Sequence, residues 1–480
     1  MADNLDIIIF GASGNLAKKK VFPAFFSLYS RGLLPKNTRF LGYARTKMTL
    51  SEFKNNILEN LTCRYAPEHS CNNYIDGFLD KCFYTNGSYD SKENLKHFLV
   101  KDQKKRVNRL FYLAVPPVLF SVIAHSIADA KLIYSLSEKQ WSRIIIEKPF
   151  GRDRYSSDKL NTSLEQCFCE NQIYRIDHYL GKEVVQNILV FRFANIIFQP
   201  VWNSDYVEKI QINWSEKKGL EGRGGYFDNY GIIRDVIQNH LLQILALITM
   251  EPPDNLNSNE IRDKKVDLLR QIQLPDMKDV LVGQYVSPLD PQSQAQAYTK
   301  EEGVNPKSNT PTYAFVNLKI SNTRWKNVPI EISAGKALDS HKAEVIITFK
   351  KPHGNIFCTT GKCPPANKLV MRIQPDEGMH FTVSTKVPGR KMEIQSKELN
   401  LSYTSAFCND ILPDAYENLL LDAINGDRTL FIRNDELQAL WDILTPLLHE
   451  LEVNKIKPIP YPFGSKGPHL KKNEKGNVLE

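Results

Sequence analysis

The stretch DIIIFGASGNLAKKKVFPAFFSLYSRG, residues 6–32, constrains this chain more tightly than any other part of it. Its apolar run is unbroken and ends abruptly in glycine. A strand without polar alternation is buried on both faces, the condition of a strand inside a parallel sheet covered by helices. The residues after the glycines read as a helix. Between the two, Gly11, Gly14 and Ala17 fall at the spacing G-x-x-G-x-x-A. There the first glycine permits a tight turn, the second lets backbone approach a pyrophosphate, and a small third residue allows close helix–sheet contact. Free N–H groups at the helix start would face the phosphates. The loop Gly11, Ala12, Ser13, Gly14, Asn15, Leu16, Ala17 and Lys18 is therefore a candidate dinucleotide cradle. Glycine turns without a ligand are also common, so the loop does not decide the matter alone.

The next segments strengthen the reading. RFLGYAR, RLFYLAVPP and RIIIEKPFG read as further buried strands, and PVLFSVIAHSIADA has helical spacing. Strand and helix in alternation predict a doubly wound parallel sheet. An NAD-binding sheet carries an acid after its second strand to hold the ribose hydroxyl. Here the segment is GYARTK, with Arg45 and Lys47 in place of the acid, which suits the extra phosphate of NADP.

After Asn187 the character changes. VEKIQINWSE, TYAFVNLKI, VPIEISAGKAL, AEVIITFK, KLVMRIQP and HFTVSTKV look like successive strands, interrupted by helical IIRDVIQNHLLQILALITM and ELQALWDILTPLLHELE. The fold class expected is α/β: an N-terminal Rossmann-like doubly wound domain over 1–180 and a larger C-terminal α+β domain with a mostly antiparallel sheet over 181–468, followed by a disordered tail over 469–480.

Length and composition agree with a two-domain globular chain: 480 residues, 42% hydrophobic and 24% charged. The net charge of +8 is spread along the chain, which is compatible with anionic small molecules. No recognition-helix or aromatic-and-basic RNA pattern accompanies it, so no nucleic acid is expected as a partner. The eight cysteines show no zinc spacing and no framework, so free thiols in a reducing compartment and no metal are expected. The N-terminus reads as neither signal nor transit peptide, and no window reads as a membrane span of about 20 apolar residues. The expectation is a cytoplasmic protein without a membrane partner.

Two clusters carry chemistry. YRIDHYLGKEVVQN collects Arg175, Asp177, His178, Tyr179 and Lys182 within a few residues. The donors could converge on a phosphate; the plainer reading is a charged helix start capped by Asp177, with Arg175 in an ion pair. GRGGYFDNYGIIRDVIQNHLLQ sets Asp235 and His240 five apart on a helix, in a polar patch ahead of an apolar run.

GASGNLAKKK, NRLFYLAVPP, RIIIEKPFGRD, YRIDHYLGKEVVQN, GRGGYFDNYGIIRDVIQNHLLQ, AGKALDSHKAEV and LPDAYENLLLD occur in this order. Together they resemble the glucose-6-phosphate dehydrogenase family from about Ile7 to Pro468. The resemblance implies oxidation of glucose 6-phosphate at its anomeric carbon, with hydride transfer to NADP and a phosphogluconolactone as product. It makes His240 the general base and Asp177 the carboxylate that orients it. Both roles suit an alcohol proton at neutral pH. It assigns His178, Tyr179 and Lys182 to the phosphate, and Lys148 to the space between cofactor and sugar. Glu216, Asp235, Lys336 and Gln374 fall to the sugar hydroxyls and phosphate. It also implies a homodimer or homotetramer built through the large sheet.

The chain departs from the family at a few places. Asn15 replaces the usual Asp, and Phe120 stands where many relatives have tyrosine. His341 occupies a position that is basic in the family, so its help to a substrate phosphate is expected to depend on pH. Animal members carry a second, structural NADP site. Here Lys342 and Arg372 remain, but Ile346, His380, Thr382 and Lys466 replace residues expected to hold it, so that site is expected to be weak or absent.

Overall fold

The computed structural model describes residues 4–65, 70–100, 107–135, 139–290, 292–352, 354–360, 363–408, 411–468, 471–472 and 478–479. Packing divides the chain into two compact units. One holds 1–181, 255–262 and 411–438; the other holds 182–254, 263–410 and 439–480.

The first unit is built on strands β1 (Asn4–Phe10), β2 (Asn37–Ala44), β3 (Cys82–Asn86), β4 (Asn108–Leu113), β5 (Ser142–Glu147) and β6 (Ile173–Ile176). They run parallel in the order β6-β5-β4-β1-β2-β3, and the two-residue strand Phe431–Ile432 closes the β6 edge antiparallel. The unbroken apolar runs follow from this: Ile7, Ile8 and Ile9 are all fully buried, as expected of a central strand covered on both faces. Phe22, Phe25 and Phe26 of helix Phe22–Ser30 pack into the same core as Leu419, Leu420 and Ala423 of helix Ala415–Asn425. That burial explains why 411–438 belongs to this unit, whereas the sequence reading placed it in the C-terminal domain.

In the second unit the sheet has nine strands: β7 (Val207–Ser215), β8 (Val280–Val286), β9 (Tyr313–Leu318), β10 (Ile330–Gly335), β11 (Lys342–Phe349), β12 (Lys368–Gln374), β13 (Gly378–Lys386), β14 (Ile394–Ser402) and β16 (Ile459–Pro462), with Phe431–Ile432 counted as β15. The order is β14-β13-β12-β11-β7-β10-β9-β8-β16. It is antiparallel except where β7 meets β10 and β8 meets β16. β14, at the open edge, is exposed along almost its whole length.

Two expectations change, and a third falls mostly outside the described residues. Cys63 and Cys71 form a disulfide, as do Cys358 and Cys363, with Cα–Cα separations of 5.8 and 4.2 Å; the first lies within the usual range for such a bond and the second just under it. Cys82, Cys167, Cys169 and Cys408 are free thiols. The helix Gly224–Thr249 is long and apolar enough to cross a membrane, yet 94% of its apolar window is buried inside the protein, so its hydropathy is that of a core helix. The tail expected to be disordered lies mostly outside the described residues; Lys471–Lys472 and Val478–Leu479 pair antiparallel.

Asp422, on helix Ala415–Asn425, has its carboxyl pushed up to about 7 by burial, with Asp427 adding to the shift. A raised carboxyl favours the folded state while protonated, and that contribution fades as pH rises from the unfolded value toward the folded one. Asp422→Asn is therefore expected to melt with wild type at pH 4 and several degrees above it at pH 8. Equal melting temperatures at both pH values would contradict this.

Candidate active site

The glycine loop leaves β1 between β1 and β4, where the strand order reverses. Open α/β sheets bind ligands in that crevice. Gly11 sits at φ +75°, and a Cβ on it would lie 2.3 Å from the Ala114 carbonyl oxygen. Its N–H donates to the Tyr43 carbonyl at 2.9 Å, and Gly14 N–H donates back to the Gly11 carbonyl at 2.8 Å. Ala17 is fully buried, whereas Asn15 is exposed. The helix opens with a π turn, Ala17–Val21, which the sequence did not reveal. Ser13 Oγ lies 3.1 Å from Thr46 Oγ1, tying the loop to the segment after β2.

Arg45 follows β2 and is exposed, its guanidinium 5.7 Å from the centre of the Tyr89 ring. This is the end of the second strand, where the NADP-specific phosphate was expected to be met. A charge-assisted contact to phosphate contributes about 1.5–3 kcal/mol. Arg45→Ala is expected to raise KM for NADP about tenfold or more and to leave KM for NAD within about twofold. Equal losses for both coenzymes would remove Arg45 from discrimination.

Lys148 and Asp177 follow β5 and β6 directly, Lys148 through a cis bond to Pro149. Asp177 is 1% exposed; its Oδ1 accepts the Tyr179 N–H at 2.9 Å, and its carbonyl accepts the Leu180 N–H at 3.0 Å. The aspartate thus shapes the turn that displays His178 and Tyr179. It does not cap the following helix, which starts only at Glu183 with Lys182 at its N-cap. His178 lies edge-on to Tyr179, at 5.1 Å between ring centres, and parallel to Tyr416 at 6.2 Å. A Cβ on Gly181 would come within 2.5 Å of the Ala415 carbonyl oxygen, so the loop rests closely on the start of helix Ala415–Asn425. Arg175 is fully buried and holds Glu170 at 2.7 and 2.9 Å, together with Asn161 and the Ile432 carbonyl. Its role is structural, since it ties the last parallel strand to the edge strand.

In the second unit, Lys182 Nζ lies 3.6 Å from Glu377, with both side chains partly buried. Burial raises the Glu377 carboxyl, and the Lys182 ammonium opposes that shift. Glu377 stands in the turn between β12 and β13, beyond any local signal. Lys336 donates to Glu216 at 2.5 Å. The two residues close the ends of β10 and β7, held by Glu216 N–H to the Gly335 carbonyl and Lys336 N–H to the Thr312 carbonyl, each at 3.0 Å. Lys336 Nζ also lies 5.4 Å from the Trp214 ring and 5.5 Å from Phe227, partners the sequence reading missed.

Asp235 and His240 share a π turn, Ile233–Leu241, inside Gly224–Thr249. The helix kinks at Gly231, where φ is +69°. Hydrogen bonds five residues apart define a π turn, and such turns often sit at functional sites. His240 is 3% exposed and its N–H is bound by Asn239 Oδ1 at 2.7 Å; Asp235 is half-buried. Gln374 ends β12 in a cis bond to Pro375 and pairs with Ala343. His341 is exposed just ahead of β11.

Comparison with known proteins agrees with this geometry. The family description "Glucose-6-phosphate dehydrogenase, NAD binding domain" matches residues 8–187, and "Glucose-6-phosphate dehydrogenase, C-terminal domain" matches 189–475. The chain is 46% identical to glucose-6-phosphate 1-dehydrogenase 1, chloroplastic, of Arabidopsis thaliana, covering 97% of this chain and 81% of the relative. It is 47% identical to glucose-6-phosphate 1-dehydrogenase of Dictyostelium discoideum over 97% of this chain and 92% of the relative. Among solved structures, a glucose-6-phosphate dehydrogenase in complex with glucose-6-phosphate superposes with a TM-score of 0.90 at 40% identity, covering 97% of this chain and 95% of that one. Two domain matches that together span nearly the whole chain, on a sheet whose switch point carries the glycine loop, establish that this chain belongs to the glucose-6-phosphate dehydrogenase family.

Proposed function

We propose that the chain oxidises D-glucose 6-phosphate to 6-phospho-D-glucono-1,5-lactone with NADP, the first step of the oxidative pentose phosphate pathway. His240 takes the proton of the anomeric hydroxyl as the hydride on that carbon leaves for the nicotinamide. Asp177 is its partner carboxylate, fixing tautomer and ring orientation. His178, Tyr179 and Lys182 bind the phosphate, and Lys148 lies between cofactor and sugar. Glu216, Asp235, Lys336, Gln374 and His341 hold the remaining hydroxyls and the phosphate. NADP suits this chain: the Gly11 cradle has room only for backbone, and Arg45 offers a cation where the extra phosphate would lie.

One observation carries the reading. His240 is a buried imidazole in a π turn of a core helix, among the buried polar side chains Arg234, Gln238, Asn239 and Gln243, a grouping that packing alone does not call for. The test is NADPH formation followed optically with glucose 6-phosphate, glucose and NAD as comparisons. Turnover with glucose 6-phosphate and NADP far above the other pairs is expected; equal turnover of glucose would remove the phosphate-binding roles.

A homodimer or homotetramer is part of the proposal, formed through the second unit's sheet. β14 is a nine-residue edge strand, and Leu399 and Leu401 on it are 61% and 45% exposed. An uncovered edge of this length invites pairing with a second chain. A cytoplasmic location, without membrane or nucleic-acid partners, completes the reading.

A further inference from the structure

Three of the motifs that mark the family have no role in the chemistry above: NRLFYLAVPP, the glutamate of EKPFG, and LPDAYENLLLD. In the first unit they meet at one carboxyl group. Glu147, the last residue of β5, is 8% exposed. Tyr112 of β4 donates its hydroxyl to Glu147 Oε1 at 2.5 Å, and Tyr416 of helix Ala415–Asn425 donates its own to the same carboxylate. Glu147 pairs in register with Ile176, so its neighbours at the strand ends are Lys148 on its own strand and Asp177 beyond β6. Asp414, at the N-cap of the helix that carries Tyr416, is a further charge close to that phenol, and the titratable ring of His178 lies parallel to it at 6.2 Å.

A buried carboxylate with two phenol donors and an ammonium beside it can hold its charge. Burial and the negative charge of Asp177 favour the proton instead. Those opposed influences push the group up to about 7, with burial the largest cause. That places the ionisation of Glu147 near neutral pH, one strand away from the carboxylate assigned to the base.

We infer that Glu147 is a positioning residue for hydride transfer, a second buried carboxyl that acts through Asp177 and Lys148 and whose ionisation raises the basicity of the catalytic pair. A charged Glu147 favours the loss of negative charge beside it, so the Asp177–imidazole pair takes a proton more readily. Glu147 and the Asp177–imidazole pair interact, so the acid side of the pH profile belongs to the set and not to His240 alone.

The inference rests on the proposed roles of Asp177 and Lys148. The test is the pH dependence of kcat at saturating glucose 6-phosphate and NADP, which removes the titration of the free sugar phosphate. In Glu147→Gln the side chain keeps its size and loses its charge. The apparent pKa on the acid side is expected to fall by about half a unit to one unit, with kcat lowered more at pH 8 than at pH 6. A role in packing alone would lower kcat by one factor at every pH and leave that pKa in place, and this result overturns the inference. Tyr112→Phe provides an independent reading should the glutamine variant fail to fold. It removes a donor to the carboxylate, keeps Glu147 protonated to higher pH and shifts the profile in the same direction; no shift there overturns the inference equally. Asp177→Asn separates the two levels. If its kcat stays near wild type, the proposed role of Asp177 has failed; if it collapses while the Glu147→Gln profile does not move, only the inference about Glu147 has.

Discussion

Replacing His240 by asparagine is expected to lower kcat for NADPH formation by about 10²–10⁴-fold, the range lost with a general base. Asparagine fills much of the same space and can still hydrogen-bond, but it has no nitrogen that accepts a proton at neutral pH. The position is 3% exposed within the π turn Ile233–Leu241, so a bulkier or smaller residue would confuse loss of chemistry with loss of packing. Residue 240 is assigned to the proton and not to the coenzyme, so KM for NADP should remain within about threefold while kcat collapses. A fall of only a few-fold in kcat would mean that another group takes the proton.

The second large effect is expected from Gly11→Ala. Alanine at φ +75° enters the left-handed region, which costs about 1–2 kcal/mol. Its methyl would also lie 2.3 Å from the Ala114 carbonyl oxygen, a backbone atom just past the end of β4 that cannot swing aside. Relief requires the loop to move, and the loop also carries the Gly11 N–H bond to Tyr43 and the Gly14 N–H bond to Gly11. Both stability and coenzyme binding should suffer: a melting temperature lower by several degrees and a KM for NADP at least about tenfold higher, since backbone placement near a pyrophosphate tolerates little displacement. Gly32→Ala is the control. It has a similar φ of +68°, yet nothing lies within 4 Å of its Cβ, so it should cost stability and spare NADP. Equal effects of the two on KM would show that the loop geometry is not what binds the coenzyme.

The parallel sheet was legible because its strands are buried on both faces, which leaves unbroken apolar runs such as Ile7–Ile9. The two edges of the second sheet were not. β14 reads IQSKELNLS, with no buried residue to set a period, and β16 reads IPYP, whose prolines suit an edge and argue against a strand elsewhere. Hydrogen-bonded pairing defines these strands, and pairing leaves no mark in composition. The parallel contact of β7 with β10 escaped notice for the same reason: a run of alternating residues fixes faces but not direction. The return of helix Ala415–Asn425 to the first core could not be read either, since its apolar stripe says that it is covered and not by what.

In the site, residues whose demand is local were visible. Gly11 needs its backbone angle, and Asp177 shapes the turn of its own loop. Groups assembled from distant segments were not. Glu377 reaches Lys182 from a hairpin, and Glu147 gathers Tyr112 and Tyr416 from a strand and a helix far apart in the chain. The π turns at Ala17–Val21 and Ile233–Leu241 were also hidden, because shifting the hydrogen bond by one residue changes no residue type. The disulfide of Cys63 with Cys71 depends on a separation of 5.8 Å that the spacing alone does not fix.

The central claim is that one buried imidazole faces the reacting carbon of a sugar whose phosphate is held elsewhere by histidine, tyrosine and lysine. A crystal structure of the His240→Asn variant with glucose 6-phosphate and NADP tests it most directly, because the inactive enzyme preserves the substrate. The phosphate is expected on His178, Tyr179 and Lys182, with the anomeric hydroxyl within hydrogen-bonding reach of residue 240. A phosphate lodged on other residues, or a sugar turned so that its anomeric carbon points away from that side chain, would contradict the account.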